Sequence, residues 1–225
     1  MSVDPRLCIT CSAPNNIAVI KYWGKEDAAA NTPINSSVSV TLNQDDLRAI
    51  TTVAASTDFE NDRMWLNGSE EDINKNKRLS TVLRLVRSMA GDKVDPSTGK
   101  ILVKKEDWKN YKVHISSRNT FPTAAGLASS AAGYACLTFA LSELFSAEES
   151  YAGELTAVAR QGSGSACRSM FGGFVRWNKA TLKDDPSDSI AVQISDGNHW
   201  PELKALILVT SPKKKTMSST DGMKT

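Results

Sequence analysis

Pro122-Thr-Ala-Ala-Gly-Leu-Ala-Ser-Ser-Ala-Ala-Gly133 decides how this chain is read. Pro122 stiffens the approach, and Gly126 lets the backbone bend with no Cβ in the way. Ser129 and Ser130 then open an apolar run, 131–145, that predicts a helix. A glycine-bearing turn running into a helix start offers unpaired backbone N–H groups and the positive end of a dipole. That pairing binds phosphate. The serine hydroxyls add hydrogen bonds or face a metal ion. The same composition has a second use, since small residues also let a helix pack closely on a sheet. The Walker-type G-x-x-x-x-G-K-[ST] is absent, so a phosphate site here would be of another kind.

Two further stretches carry chemistry. Gly162-Ser-Gly-Ser-Ala-Cys-Arg-Ser169 holds two glycines, three serines and one arginine in eight residues. Its glycines predict a flexible turn after a helix. Ser163 and Ser165 face one pocket if the segment is extended. Arg168 offers a planar fork suited to a carboxylate or phosphate. Gly-Ser-Gly is also common linker composition, and most arginines are solvated. Lys21-Tyr22-Trp23-Gly24-Lys25, behind Asn16, can hold an anion between two lysines, with Tyr22 as a donor. An ordinary strand with its lysines reaching into solvent fits the same residues.

Outward from these, the pattern is mixed. Residues 34–42 alternate with period two, and 47–57 continue with β-branched content. Asn67-Gly68 signals a hairpin. Residues 74–90 repeat Leu79, Val82, Leu83, Val86 and Met89 at helical spacing, with Gly91 expected to close that helix. The polar stretch 92–110 reads as a surface loop or excursion. Strands are expected at 113–117, Phe174–Trp177, 190–194 and 203–209, and helices at 129–145 and 152–160. Strands clustered early, then strand, helix, helix and strand, predict an α+β fold rather than a doubly wound one.

Bulk composition narrows the function classes. In 225 residues, 27 Lys and Arg face 25 Asp and Glu, and a net charge of +2 gives no push toward nucleic acid or membrane. Lys213-Lys-Lys215 reads as solvated. No apolar run reaches transmembrane length, and Met1-Ser-Val-Asp-Pro-Arg6 lacks the apolar core of a signal peptide. Cys8-Ile-Thr-Cys11 raises zinc or redox chemistry. However, no second pair appears, and strand alternation puts the two thiols on opposite faces. Small buried side chains in a reducing cytosol are the expectation, and with it a cytoplasmic location.

Four segments occur in order: Ala13-Pro-Asn-Asn-Ile-Ala-Val-Ile-Lys-Tyr-Trp-Gly-Lys25, Asn35-Ser-Ser-Val-Ser-Val-Thr-Leu42, Phe121-Pro-Thr-Ala-Ala-Gly-Leu-Ala-Ser-Ser-Ala-Ala-Gly133 and Gly162-Ser-Gly-Ser-Ala-Cys-Arg168. Together they closely resemble the mevalonate diphosphate decarboxylase family of the GHMP kinase superfamily. The superfamily loop P-x-x-x-G-L-x-S-S-A is matched at every fixed position from Pro122 to Ala131. K-Y-W-G-K and G-S-G-S-A-C-R resemble the decarboxylase branch rather than its kinase cousins, and the likeness covers essentially the whole chain.

The resemblance implies a GHMP-type N-terminal domain over 1–225, of the ribosomal protein S5 domain 2-like kind, with the phosphate loop at 122–133. Residues from about 210 would lead into a second α+β domain that is mostly absent. The implied activity is ATP-dependent decarboxylation of mevalonate 5-diphosphate to isopentenyl diphosphate with ADP, phosphate and CO2, by a homodimer.

By the same resemblance, Pro122, Ala125, Gly126, Leu127, Ala128, Ser129 and Ser130 hold the ATP phosphates and Mg²⁺. Ser130 lies nearest the transferred phosphoryl group and the metal. Arg168 grips the substrate carboxylate. Ser163, Ser165 and Ser219 bind substrate, as do Tyr22 and Lys25 at its diphosphate end. Asn16 positions the catalytic carboxylate, and Lys21 neutralises charge near the reacting hydroxyl.

Two departures stand out. Position 15, usually apolar in the family, is Asn15. Family members are also longer, and their general-base aspartate follows the region where this chain stops; Asp221 sits in a different motif. The chain is therefore expected to be an N-terminal portion that alone turns over little or nothing. A superfamily small-molecule kinase such as phosphomevalonate kinase, or a non-catalytic ligand-binding homologue, is the alternative.

Overall fold

The β-branched stretch 47–57 forms a nine-residue strand of the larger sheet. A computed structural model describes residues 4–121, 129–182 and 185–208. The chain begins with β1 (Cys8–Pro14) and β2 (Asn16–Ile20), followed by the small pair β3 (Lys25–Asp27) and β4 (Thr32–Pro33). Next come β5 (Ser37–Thr41), β6 (Arg48–Ser56), β7 (Arg63–Leu66), β8 (Ser69–Glu71) and helix α1 (Lys77–Ser88). A short pair, β9 (Lys93–Val94) and β10 (Ile101–Val103), precedes β11 (Lys112–Asn119). Helices α2 (Ser129–Phe145) and α3 (Glu154–Gly162) are followed by β12 (Phe174–Trp177) and β13 (Ala191–Ser195). The expected α+β class is what the chain adopts.

Two sheets organise these elements. The five-stranded sheet runs β1-β6-β11-β7-β8, antiparallel except for the β11–β7 pair. In β6, Ala49, Thr51, Val53 and Ala55 are buried, while the residues between them are half-exposed, so one face is core. On that face lie Leu79, Val82, Leu83 and Val86 of α1 and Leu137, Leu141, Leu144 and Phe145 of α2, against Val53, Val113 and Ile115. Burying each such side chain stabilises the fold by about 1.5–3 kcal/mol. The second sheet, β13-β12-β5-β2, is antiparallel throughout. Its inner face meets a 3-10 turn, Gly164–Met170, through Cys167, Val175, Trp177 and Ala191.

The short hairpin β7–β8 turns on Asn67 and Gly68, both at positive φ (50° and 85°), as the Asn-Gly pair predicts. Asn76 caps α1, its Oδ1 accepting from the Leu79 N–H at 3.2 Å. The expected role of Gly91 needs correction. The helix stops at Ser88 with Met89 in the right-handed region, and Gly91 has no left-handed φ. Instead its N–H donates to the carbonyls of Phe145 and Ser146. A Cβ there would lie 2.6 Å from the Ser146 carbonyl oxygen, so close approach is what demands a glycine.

Two other expectations fail. Residues 92–110 are not a loop: they hold β9, β10 and a 3-10 turn, and Trp108 and Val103 join the core. Trp108 Nε1 donates to the Gly91 carbonyl at 3.0 Å, and its ring meets Phe145 edge-on at 4.9 Å. Polar spacing hid one large buried side chain. The strand expected at 203–209 is absent from its described part, 203–208, where Leu206 and Leu208 are exposed. Pro122, Ala125, Gly126, Leu127, Ala128, Ser219 and the basic tail lie outside the described residues, as does any boundary near 210.

Candidate active site

Ser129 and Ser130 open α2, as expected, and the first turn of this 17-residue helix carries no acidic residue. Its positive end is therefore not neutralised from within its own turn. Behind the serines, α2 presents Ala132, Ala135 and Cys136 to Ala13 and Ala49 of the sheet and to Ala159 and Ala166. That seam of small side chains lets α2, α3 and the 164–170 turn approach closely. The packing use of the small residues is thus realised. At the seam's end the Oγ atoms of Ser130 and Ser163 share a hydrogen bond at 3.1 Å.

The segment after α3 is the expected turn, and not the extended form that would aim Ser163 and Ser165 into one pocket. Ser163 is extended (φ −155°, ψ 128°), but 164–170 wind into a 3-10 turn. Ser163 and Ser165 consequently do not line one face in parallel. Ser163 is buried with its hydroxyl on Ser130, whereas Ser165 is half-exposed and contributes its carbonyl, which accepts from Asn16 Nδ2 at 3.0 Å. Asn16 Nδ2 also donates to Ser169 Oγ at 2.8 Å.

Arg168 is the centre of the arrangement, only 2% exposed. Its Nε donates to Ser39 Oγ at 3.0 Å, Nη1 to Ser37 Oγ at 2.6 Å and Nη2 to Asn16 Oδ1 at 3.4 Å. The guanidinium lies 6.0 Å from the Tyr22 ring and 5.9 Å from that of Trp177. None of the ion pairs among the described residues includes it. Burial pushes its pKa down, and only weak attraction toward Cys167 and Tyr22 opposes this. A buried cation without an acid partner is costly unless a ligand supplies the missing charge.

Tyr22 closes one side. Its ring meets Trp177 edge-on at 4.6 Å. A Cβ on Gly164 would lie 2.6 Å from Tyr22 Oη and 2.9 Å from Trp177 Cη2, so glycine is needed for this contact. Burial raises the Tyr22 pKa more than nearby Arg168 lowers it, which keeps the phenol a neutral donor. Trp177 Nε1 donates to Ser189 Oγ at 3.1 Å, and Arg160 donates to the Pro186 and Ser189 carbonyls. Lys21 is exposed, its carbonyl accepting from Asn35 Nδ2 at 3.2 Å, and Lys25 is half-exposed at the start of β3.

Asn16, Tyr22, Ser165 and Arg168 therefore meet in one group, and the Ser130–Ser163 pair adjoins it through the backbone of the 164–170 turn. Three features escaped the sequence reading. Ser37 and Ser39 are fully buried at alternate positions of β5, where the core parity would ordinarily hold apolar side chains. That mismatch was the available signal. Trp177 and Ser189 were hidden by their distance in sequence. Arg78, in the first turn of α1, opposes the larger upward push that burial gives the Tyr22 and Tyr134 phenols, and Asn76 Oδ1 accepts from Tyr134 Oη at 3.4 Å.

No trio of His, Cys, Asp or Glu able to hold a metal exists among the described residues. Mg²⁺ needs none, since it commonly takes one or two protein oxygens plus phosphates and water. The exposed Ser130 hydroxyl at an uncompensated helix start fits such a ligand. A groove of about 1050 Å³ lies beside this group, lined by Ile17, Val19, Val40, Phe139, Trp200 and Ile207 along the four-stranded sheet and reaching Ser169.

Comparison with known proteins fits this geometry. Residues 13–191 match the model of the diphosphomevalonate decarboxylase-like N-terminal domain. The rat (Rattus norvegicus) diphosphomevalonate decarboxylase is 54% identical over 219 residues, covering 97% of this chain and 52% of that protein. The structure of mevalonate diphosphate decarboxylase from Trypanosoma brucei superposes with a TM-score of 0.78 at 42% identity, over 96% of this chain and 53% of that one. A structure described as MDDEF in complex with MVAPP, AMPPCP and magnesium gives 0.70 at 33% identity, over 96% and 59%. The chain spans about half the length of the curated relatives it matches.

Proposed function

Because this chain belongs to the diphosphomevalonate decarboxylase-like family, we propose that it is the N-terminal part of an enzyme that converts mevalonate 5-diphosphate to isopentenyl diphosphate. ATP is consumed, and ADP, phosphate and CO2 are released. The observation that carries the reading is Arg168: a buried guanidinium held by two serines and an asparagine, with no acid partner among the described residues.

The chain's residues divide the work by charge. The α2 start, with Ser129 and Ser130, holds the nucleotide phosphates, and the Ser130 hydroxyl serves Mg²⁺. ATP supplies the phosphoryl group that turns the tertiary hydroxyl of the substrate into a leaving group. Arg168 holds the carboxylate so that its C–C bond points at the carbon from which phosphate departs. Electrons of that bond then form the alkene as CO2 leaves. Tyr22, Lys25 and Arg78 serve the diphosphate end, and Lys21 offsets charge near the reacting hydroxyl. Positioning and electrostatics carry such a reaction. The structure with MVAPP, AMPPCP and magnesium, in which AMPPCP is an ATP analogue, supports these ligands.

The remaining half, by this reading, carries the general base and covers the groove on the four-stranded sheet, where Val19 and Ile194 are 63% and 56% exposed. Residues 1–225 alone then turn over little, and the full-length enzyme is a cytoplasmic homodimer. The test is product analysis with full-length protein, ATP and mevalonate 5-diphosphate. Equal yields of ADP, phosphate and CO2 are expected. A phosphorylated acid without CO2 would make it a kinase, and binding without turnover a non-catalytic homologue.

A further inference from the structure

We propose that Ser37 and Ser39 are positioning residues for the decarboxylation: they hold Arg168 with neutral oxygens so that its charge stays available to the substrate carboxylate. This rests on the activity proposed above. Both side chains are fully buried on the inner face of β5, paired across the sheet with Trp177 and Val175. Apolar residues would suit that face better, because a buried hydroxyl costs stability unless it is bonded.

Here each hydroxyl oxygen accepts from Arg168, Ser39 from Nε and Ser37 from Nη1. A guanidinium has five N–H donors. With Asn16 on Nη2, each terminal nitrogen keeps one N–H, and these two form the fork that matches a carboxylate. An Asp at either position would complete an internal ion pair and cancel the charge the ligand needs. An Ala would leave the fork free to tilt. The serines fix both the plane of the guanidinium and its unpaired charge, and the segment 35–42 thereby acquires a function beyond strand formation.

The experiment uses full-length protein and the variants S37A, S39A and S37A/S39A. We expect the double variant to lose tenfold to a hundredfold in kcat, roughly the loss that misplacing a reacting group by an ångström causes. The KM for ATP should stay near wild type, while the melting temperature falls because two buried guanidinium N–H groups lose their acceptors, so kinetics are read well below it. R168A with added guanidinium supplies a second readout. The free cation should restore CO2 release when both serines are present and fail when they are absent.

Wild-type kcat and KM in the double variant would overturn the inference. So would guanidinium rescue that ignores the serines, or no rescue of R168A at all, since a preformed cradle should seat the free cation. If the double variant does not fold, the single variants decide by the same criteria. Wild-type protein that releases no CO2 sinks the activity reading itself, whereas normal wild-type turnover with unaffected serine variants sinks only the role of the serines.

Discussion

Arg168 shows how far one residue can be read. Its fork chemistry is legible from residue type, but its burial and lack of an acid partner emerge only when β5 and the 164–170 turn close over it. In the full-length enzyme, Arg168→Gln is expected to lower kcat by about a hundredfold or more while ATP affinity changes by less than about twofold. Steady-state kinetics with nucleotide-binding calorimetry checks this. Arg168→Lys should do little better, because one ammonium cannot reach both serines and the carboxylate. The thiols give a second residue-scale test. Burial pushes Cys136 up to about 11 and Cys167 up to about 12, so both stay protonated at neutral pH. Cys8 is exposed and Cys11 half-buried. Alkylation of native protein followed by peptide mapping should mark Cys8 first and leave Cys136 and Cys167 untouched until denaturant is added.

At the scale of elements, α1 was legible from apolar spacing at one period, α2 as an apolar run opened by Ser129 and Ser130, and β6 from β-branched content. The 92–110 excursion was not, because its core contribution comes from Val103 and Trp108 set among charged residues. Trp108→Ala is expected to cost about 3–5 kcal/mol in chemical denaturation, whereas a surface loop would lose almost nothing. The same excursion is expected to respond to pH. Bonds from Ser97 and Arg6 hold the Asp95 carboxyl well below its usual range. A depressed folded-state pKa adds stability above the ordinary carboxylate value, and that contribution is lost as pH falls below about 4. Urea midpoints should drop on acidification by less in Asp95→Asn than in wild type. The 164–170 segment was legible as a turn after a helix, but its 3-10 winding was not, because Gly-Ser-Gly permits an extended form as well. Its glycine makes room for Tyr22 and Trp177, so Gly164→Ala should weaken substrate binding by displacing Tyr22, measurable as a raised KM at little-changed ATP affinity.

For the whole molecule, the two bends rich in serine and glycine are 33 residues apart at Ser130 and Ser163, yet their hydroxyls meet. Small residues were legible in sequence as phosphate-binding or as packing. Only the seam of Ala132, Ala135, Ala159 and Ala166 shows that packing brings the start of α2 and the 164–170 turn together. One cavity receiving both ligands is the central claim. The most direct measurement is a crystal structure of the full-length enzyme with mevalonate 5-diphosphate and a non-hydrolysable ATP analogue. The account expects the substrate carboxylate on the Nη atoms of Arg168 and the γ-phosphate beside Ser130, with the two ligands in contact. A carboxylate bound away from Arg168, or nucleotide and substrate in separate pockets, would contradict it.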